Sequence, residues 1–227
     1  MSVIWPKWLP MLPLAGVLPV NAGEAVSVCY NYGCPAQAEV IYADEQLAQV
    51  QTLLAAARTA ADERQALSLA VGWLLGWAGQ QTPVSADRGG NTADNGVEGR
   101  MDCIDHSTTT TRLLRLLEAR GWLRFHRVLE PVSRVRYLFQ VHYSAQIEET
   151  GAVEPAVDSA AQAKRANAEV EAARYVVDSW FRDNGQPAVV IALQDWFAGR
   201  DDHDRGDDEL RPTTAVHGRG QDQTIER

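Results

Sequence analysis

The chain has 227 residues, of which 45% are hydrophobic and seven are tryptophan. This is enough apolar material for one buried core, so we expect a single globular domain and exclude a wholly disordered protein. The formal net charge of −9 excludes a mainly basic surface, which disfavours nucleic acid or an anionic membrane as a partner.

Residues 1–22 have the layout of a secretory signal peptide. Lys7 precedes an apolar stretch that ends at Val20, and Val20 and Ala22 fit the small-residue pattern of a cleavage site. Three prolines interrupt the stretch, so an uncleaved N-terminal tail is the alternative. No later stretch has the length and apolarity of a membrane span. We therefore expect a periplasmic or secreted protein with no membrane contact after cleavage.

Three cysteines follow the predicted signal peptide. Cys29 and Cys34 stand five positions apart around an Asn-Tyr-Gly turn, a spacing that permits a disulfide in an oxidising compartment. Cys103 is then left as a free and potentially reactive thiol. The alternatives are a disulfide from Cys103 to one of the other two, or a zinc site, although neither CxxC nor HxxxH spacing supports zinc.

Helices are predicted for the first half of the chain. Residues 44–58 carry apolar side chains at three- and four-residue intervals. The stretch Asp62-Glu63-Arg64-Gln65 resembles a capping box, after which the apolar period continues to Ala78. The segment Gly79–Arg100 is rich in Gly, Asn and Asp and has no apolar period. It predicts a long loop, and loops of this length are often functional.

Cys103 stands at the start of the next predicted helix. This helix runs over Ile104–Arg120 with a leucine stripe, and Gly121 suits its C-terminal cap. The partial positive charge of a helix N-terminus stabilises a thiolate, a device that cysteine nucleophiles use. A small core residue is the alternative role for Cys103.

The second half predicts an antiparallel meander. Residues 137–147 alternate between an apolar odd-numbered face and a polar face that includes His142. Residues 175–181 form a further predicted strand, and Asp183-Asn184-Gly185 marks a turn before a strand over residues 188–193.

Two segments lack a core pattern. The alanine-rich and charged residues 150–173 are interpreted as an insertion at a hairpin, forming a surface helix, a lid or a disordered stretch. The polar residues 200–227 are expected to be a disordered tail. The predicted domain thus spans 23–199.

The stretch Asp102-Cys103-Ile104-Asp105-His106-Ser107, followed by a leucine helix, resembles the nucleophile helix of the transglutaminase-like superfamily. Within that superfamily it is most similar to the bacterial transglutaminase-like cysteine proteinases. The strands that carry His142 and Asp178 resemble that family's histidine and aspartate strands. The resemblance implies an α+β, papain-like fold, with N-terminal helices packed on an antiparallel sheet.

The resemblance also implies a triad. Cys103 would be the nucleophile, His142 the general base, and Asp178 the group that orients the imidazole. An exposed strand residue is the alternative role for His142, and a turn-former is the alternative for Asp178. His106 competes with His142 because it lies three residues after the cysteine on the same helix.

The other histidines are weaker candidates. His126 stands among apolar residues without an acidic neighbour in sequence, and His203 and His217 fall in the predicted tail.

In the calcium-dependent members of the family, acids flank the cysteine on both sides. Asp102 matches the first acid, whereas Ile104 replaces the second, so no cofactor is expected and a calcium ion is the alternative. Asp105 is expected to cap the helix start or to bind a loop amide.

The implied chemistry is acyl transfer through a thioester, with a protein or peptide as substrate. Water as acceptor makes the enzyme a peptidase or amidase, and a lysine amine makes it a transglutaminase. The oxyanion would be bound by the Cys103 backbone N–H and by one polar donor from the preceding segment. Four side chains are candidate donors: Gln80, Gln81, Asn91 and Asn95.

Two further expectations remain open. Trp180 and Trp196 would line an aromatic cleft or belong to the core. The alternative function is an exported binding domain that keeps the fold without catalysis and uses the loop Gly79–Arg100. No phosphate loop or nucleotide motif supports ATP or nucleic acid as a ligand.

Overall fold

The structure is a computed structural model and describes residues 23–136, 140–151 and 170–200. It is a mixed α+β fold with two antiparallel sheets. The strands are β1 (Glu24–Tyr30), β2 (Ala36–Tyr42), β3 (His126–Arg136), β4 (Gln140–Glu149), β5 (Arg174–Asp178) and β6 (Val189–Ala192). The helices are α1 (Asp44–Ala55), α2 (Ala60–Gln81), α3 (Cys103–Ala119) and α4 (Leu193–Phe197).

The strands pair in chain order. Strands β1 and β2 form a two-stranded hairpin, and the remaining four form an antiparallel sheet in the order β3-β4-β5-β6. The predicted meander is therefore confirmed, with β3 as an additional edge strand that the sequence pattern did not indicate.

The core lies between the helices and the sheets. The apolar faces of α2 and α3 that the periodicity predicted are buried, and they meet the β1–β2 hairpin and the inner face of the large sheet. The residues buried on these two helices include Leu67, Ala70, Val71, Leu74, Leu75, Ala78, Leu113, Leu114 and Leu117. Helix α3 thus runs across the sheet, with its first residue over β4.

Both ends of α2 differ from prediction, and α1 ends at Ala55 rather than at residue 58. The N-cap of α2 is Thr59, and Asp62 is its third helical residue, so the capping box begins three residues before the predicted one. The helix also continues to Gln81 and is followed by a short 3₁₀ turn over Pro83–Ala86. The helix begins earlier than predicted because the Thr59 hydroxyl supplies the N-cap, so that Ala60 and Ala61 belong to the first turn.

The predicted face of β4 was wrong in its first half. Val141 and Tyr143 are 44% and 36% exposed, whereas His142 is 8% exposed and Ser144 is buried. A buried polar face is tolerated because its groups have hydrogen-bond partners, of which the His142 and Asp178 side chains are one pair.

Four predictions fall wholly or partly outside the described residues. They are the signal peptide 1–22, most of the insertion 150–173, the start of the strand at 137–139 and the tail 200–227. Within the described ranges, no helix combines the length and apolarity needed to cross a bilayer.

Candidate active site

Cys103 is the first residue of α3 and its side chain is partly exposed. Asp102 caps the helix by accepting hydrogen bonds from the backbone N–H groups of Ile104 and Asp105. Asp105 completes the capping box by accepting from the backbone N–H of Asp102. The Cys103 backbone N–H takes no part in this capping box. The partial positive charge of the helix N-terminus therefore lies next to the thiol and next to any ligand bound there.

The other two predicted triad residues are hydrogen-bonded to each other. His142 on β4 and Asp178 at the end of β5 lie on neighbouring strands, and Nε2 of His142 is 2.7 Å from Oδ2 of Asp178. The carboxylate also accepts from the Trp196 indole N–H at 3.1 Å and from the Trp180 backbone N–H at 3.2 Å. Asp178 is therefore held in place by three donors.

Cys103 completes the group. Its side chain lines the same cavity as the His142 ring and interacts with it electrostatically, and its Sγ lies 3.8 Å from the Val141 carbonyl oxygen. Because Nε2 of His142 is taken by Asp178, Nδ1 is the ring nitrogen left for the thiol. The structure thus brings together Cys103, His142 and Asp178.

The environment favours the protonated imidazole. Burial alone would lower the pKa of His142, but the hydrogen bonds and negative charges of Asp178 and Cys103 outweigh burial and raise this pKa to about 9. At neutral pH the His142 ring that lines this cavity is therefore an imidazolium.

The thiol opens into a cavity of about 260 Å³. Its walls come from the β1–β2 turn, the long loop, β3, β4 and the segment after β5. The lining side chains are Tyr32, Asn91, Thr92, Asp102, Cys103, Arg134, Gln140, Val141, His142, Trp180 and Phe181. Aromatic rings surround the imidazole, with the centroids of Trp180, Phe181 and Trp196 at 4.9, 5.4 and 5.7 Å from that of His142.

The two predicted cleft tryptophans have different positions. Trp180 lines the cavity, whereas Trp196 is fully buried and reaches the site through its hydrogen bond to Asp178. Trp196 also lies under the guanidinium of Arg134, whose carbon is 4.5 Å from the indole centroid. Trp196 therefore connects the triad carboxylate to the wall of the cavity.

The four predicted oxyanion donors are spread over the molecule. Asn91 lines the cavity with Cys103. Gln81 bonds the backbone of Ile41 through both ends of its amide, and Gln80 lines a separate cavity beside α1 and α2. Asn95 is exposed and is absent from the cavity lining. Gln80, Gln81 and Asn95 thus lie outside the lining of the cavity that holds the thiol, the two glutamines because α2 extends to Gln81.

His106 lies behind the site in a closed polar network. Its Nε2 is 2.9 Å from Oδ2 of Asp87, and its Nδ1 is 2.8 Å from Oγ of Ser179, which also bonds Thr110 at 2.9 Å. The other oxygen of Asp87 accepts from the Met101 backbone N–H. Both ring nitrogens of His106 are thus engaged by buried groups, which removes it as a competitor of His142.

His126 also lies away from the cavity. Its Nδ1 is 2.9 Å from Oε1 of Glu63, and both side chains are fully buried. Glu63 in addition accepts from the backbone N–H groups of Arg124 and Phe125. This pair connects the start of β3 to α2 and has a structural role.

The two acids beside the thiol are hydrogen-bonded to backbone N–H groups. Asp102 accepts two of them at Oδ1, and Asp105 accepts three through both carboxylate oxygens. Burial raises the pKa of Asp105 to about 6, although the N–H donors around it favour the carboxylate form. Asp105 is therefore mostly ionised at neutral pH.

The predicted cysteine pairing is present. Cys29 and Cys34 form a disulfide, and Cys103 is a free thiol. Sequence reasoning missed the β1–β2 hairpin that carries this disulfide and, with it, the position of Tyr32 at the cavity. The alternation Val26, Val28 and Tyr30 was an available signal for β1.

Comparisons of the chain with protein-family models, with curated proteins and with solved structures return no match.

Proposed function

We propose that this protein is an exported cysteine hydrolase, a peptidase or amidase that acts through Cys103, His142 and Asp178. The observation that carries the proposal is the position of His142, which bonds Asp178 through Nε2 and lines the same cavity as the free Cys103 thiol. A base oriented by a carboxylate and placed against a nucleophile is the signature of nucleophilic catalysis.

The proposed fold is papain-like, of the transglutaminase-like kind. Three features support it: the nucleophile begins a helix, that helix packs on an antiparallel sheet, and adjacent strands of the sheet supply the histidine and the acid. The chain order of nucleophile, base and acid is that of the family. The disulfide agrees with an oxidising compartment outside the cytoplasm.

In the first half of the reaction, the Cys103 thiolate attacks the carbonyl carbon of a carboxamide. The negative charge that develops on the carbonyl oxygen is stabilised by the Cys103 backbone N–H and by the Asn91 side-chain amide. The His142 imidazolium then gives its proton to the leaving nitrogen, the C–N bond breaks and a thioester remains on Cys103.

In the second half, neutral His142 takes a proton from water, and the resulting hydroxide attacks the thioester carbon. The C–S bond breaks, the carboxylic acid leaves and the thiolate–imidazolium pair is restored. Asp178 stays ionised throughout and keeps the ring in the orientation that serves both steps. An amine in place of water would give a new amide by the same route.

The first experiment is the rate of iodoacetamide alkylation of Cys103 as a function of pH, in the oxidised protein. In this form Cys103 is the free cysteine, so one thiol reports. We expect fast alkylation well below pH 8, slowed by about tenfold or more in His142→Ala, because losing the imidazolium shifts the population from thiolate to thiol. His106→Gln is the matched control, since His106 lies on the same helix as Cys103 but does not line the cavity.

The second experiment separates the acceptors. A panel of peptide amides is incubated with the protein in the presence and absence of a fluorescent primary amine. Release of free acid supports the hydrolase, and transfer of the amine into product identifies a transglutaminase. If, in the first experiment, alkylation is slow and unchanged by His142→Ala, the hydrolase and the transglutaminase are both overturned. A non-catalytic binding domain would then remain.

A further inference from the structure

The β1–β2 turn is a small ring closed by the Cys29–Cys34 disulfide. Four consecutive residues within it adopt the left-handed conformation: Asn31, Tyr32, Gly33 and Cys34 have φ angles of 73°, 67°, 84° and 60°. This conformation is unfavourable for residues other than glycine. It persists only where surrounding contacts hold it.

The unusual backbone turns two N–H groups toward one carboxylate. The Tyr32 N–H donates to Oδ2 of Asp105 at 2.8 Å, and the Cys34 N–H donates to Oδ1 at 2.6 Å. Successive N–H groups that converge in this way form a concave site for an anion. An Asp105 oxygen and the sulfurs of Cys29 and Cys34 all lie within 4.8 Å of one another, so the disulfide is next to the carboxylate that the ring binds.

Asp105 also belongs to the first turn of α3, which begins with Cys103. Its Oδ2 accepts from the Asp102 N–H at 3.1 Å, and Asp102 in turn caps the helix. A continuous chain of hydrogen bonds therefore runs from the disulfide ring through the buried Asp105 to the residue beside the thiol.

The same ring holds the loop that forms one wall of the cavity. The Asn31 N–H donates to the Arg100 carbonyl at 2.7 Å, and the Asn31 side chain accepts from the Gly99 N–H at 2.8 Å. The Tyr32 hydroxyl donates to Asp94, which also pairs with Arg100. The ring thus fixes both the start of α3 and the opposite side of the cleft.

We propose that the disulfide ring and Asp105 are a positioning device that keeps Cys103 aligned with His142, so that full reactivity of the thiol requires the oxidised ring. This inference rests on the proposed function. Asp105 acts through the helix start and does not contact the reacting atoms.

The redox step is a thiol–disulfide exchange with an external dithiol. Two thiolate attacks transfer two electrons, the Cys29–Cys34 bond breaks, two cysteine thiols form and the dithiol leaves as its own disulfide. Without the cross-link the ring is free to leave the left-handed conformation, the two N–H donors to Asp105 are lost, and the start of α3 is no longer fixed.

The test compares Cys103 alkylation in four proteins: wild type, the double variant Cys29→Ser with Cys34→Ser, Asp105→Asn and Asp62→Asn. The double variant has Cys103 as its single cysteine, since the chain contains three. Asp62→Asn is the matched control because Asp62 completes the capping box of α2 in the same way, on a helix start outside the cleft. Each rate is measured well below the unfolding midpoint of the variant, on protein with the near-ultraviolet dichroism of wild type.

We expect the double variant to react about tenfold more slowly than wild type near pH 6, which corresponds to a shift of about one unit in the midpoint of its pH profile. The two should react within about twofold of each other near pH 10, where every thiol is ionised. The pH profile of Asp105→Asn should shift in the same direction as that of the double variant. The single amide oxygen of Asn cannot accept the three N–H groups that the two carboxylate oxygens of Asp105 accept. Asp62→Asn should follow wild type.

The outcomes separate the two proposals. Suppose that wild type reacts quickly near pH 6 and that the double variant and Asp105→Asn both have the pH profile of wild type. The positioning role is then overturned and the cysteine hydrolase stands. If wild type itself reacts slowly near pH 6, the hydrolase is overturned and the positioning role with it. Should the double variant fail to fold, Asp105→Asn, which retains the disulfide, decides the result.

Discussion

Two histidine–carboxylate pairs lie close to the start of α3, and they differ in their surroundings. In the cleft, His142 bonds Asp178 at 2.7 Å and lines a cavity together with a free thiol. Behind the cleft, His106 bonds Asp87 at 2.9 Å and presents its other nitrogen to the buried Ser179 hydroxyl. The two pairs thus differ in access, because His142 borders a cavity beside a thiol whereas both ring nitrogens of His106 are engaged by buried groups.

The closed network around His106 still matters for the site. Ser179 directly follows Asp178, and Asp87 binds the Met101 N–H just before the nucleophile. The Trp180 carbonyl accepts from the Gly90 N–H, which joins the segment after β5 to the long loop. The His106–Asp87 pair therefore connects α3, the long loop and the segment that follows Asp178.

The largest expected difference between the two pairs is in activity. His142→Gln should lower kcat/KM on a peptide amide by at least roughly 10³, because the variant loses both the base and the thiolate-stabilising charge. His106→Gln should lower it by less than about tenfold, since that ring touches no reacting atom. Steady-state kinetics on the two variants checks this, and equal losses would contradict the distinction.

Stability should not separate the two pairs in this way. His106→Gln should lower the free energy of unfolding by about 2–3 kcal/mol, because it leaves Asp87 and Ser179 with unsatisfied buried groups. His142→Gln should lower it by a similar amount at pH 7, because Asp178 is also buried and loses its charged hydrogen-bond partner. Urea unfolding of both variants at pH 7 measures the two losses, and wild-type stability in either variant would refute this expectation.

The same contrast, between side chains that line the cavity and side chains away from it, applies to the amides of Asn91 and Gln81. Asn91→Ala should reduce kcat by about 10- to 100-fold if its amide stabilises the oxyanion, with KM little changed. Gln81→Ala should leave kcat within about twofold because its amide is used on the Ile41 backbone. A kcat for Asn91→Ala equal to wild type would assign the oxyanion to other donors.

The smallest expected effect is the alkaline limit of activity. The raised pKa of His142, about 9, means that the imidazolium persists to this pH and is then lost. Activity should halve near pH 9 and fall about tenfold for each further pH unit, because the leaving nitrogen then lacks a proton donor.

The same pKa also predicts how stability depends on pH. Since the pKa of His142 in the folded protein exceeds the unfolded value of about 6.5, the stability that His142 contributes is complete below pH 6.5 and disappears as pH rises through 9.

A pH–rate profile of wild type and His106→Gln tests this prediction. Both proteins should share the same alkaline limb, because His106 has no part in the proton transfer. A limb that moved in His106→Gln would mean that the buried pair controls the protonation of the reactive one.

Local patterns were sufficient for several parts of the fold. The helix periods, the Gly121 cap, the turn at Asp183-Asn184-Gly185 and the five-residue cysteine spacing all depend on residues close together in the chain. Cys103 at the start of α3 belongs to this group, because helix starts are set by capping side chains within a few positions. These features would form in much the same way in many tertiary contexts.

Other parts depended on groups far apart in sequence. The buried side of β4 follows from the partner of His142, which is 36 residues away, and the role of His106 follows from a partner 19 residues before it and another 73 residues after it. A polar strand face is normally exposed, and only the pairing of its side chains makes burial acceptable. Nothing in the alternation of residues 140–147 carries that information.

The sequence by itself therefore determined the helices, the disulfide and the position of the thiol, because short-range hydrogen bonds and side-chain spacing decide them. Only the tertiary structure decided which histidine meets that thiol, which amide lines its cavity, and that the disulfide ring binds the nucleophile helix through Asp105. Those outcomes rest on burial and on hydrogen bonds between distant segments, whose energies exist only after the chain has folded.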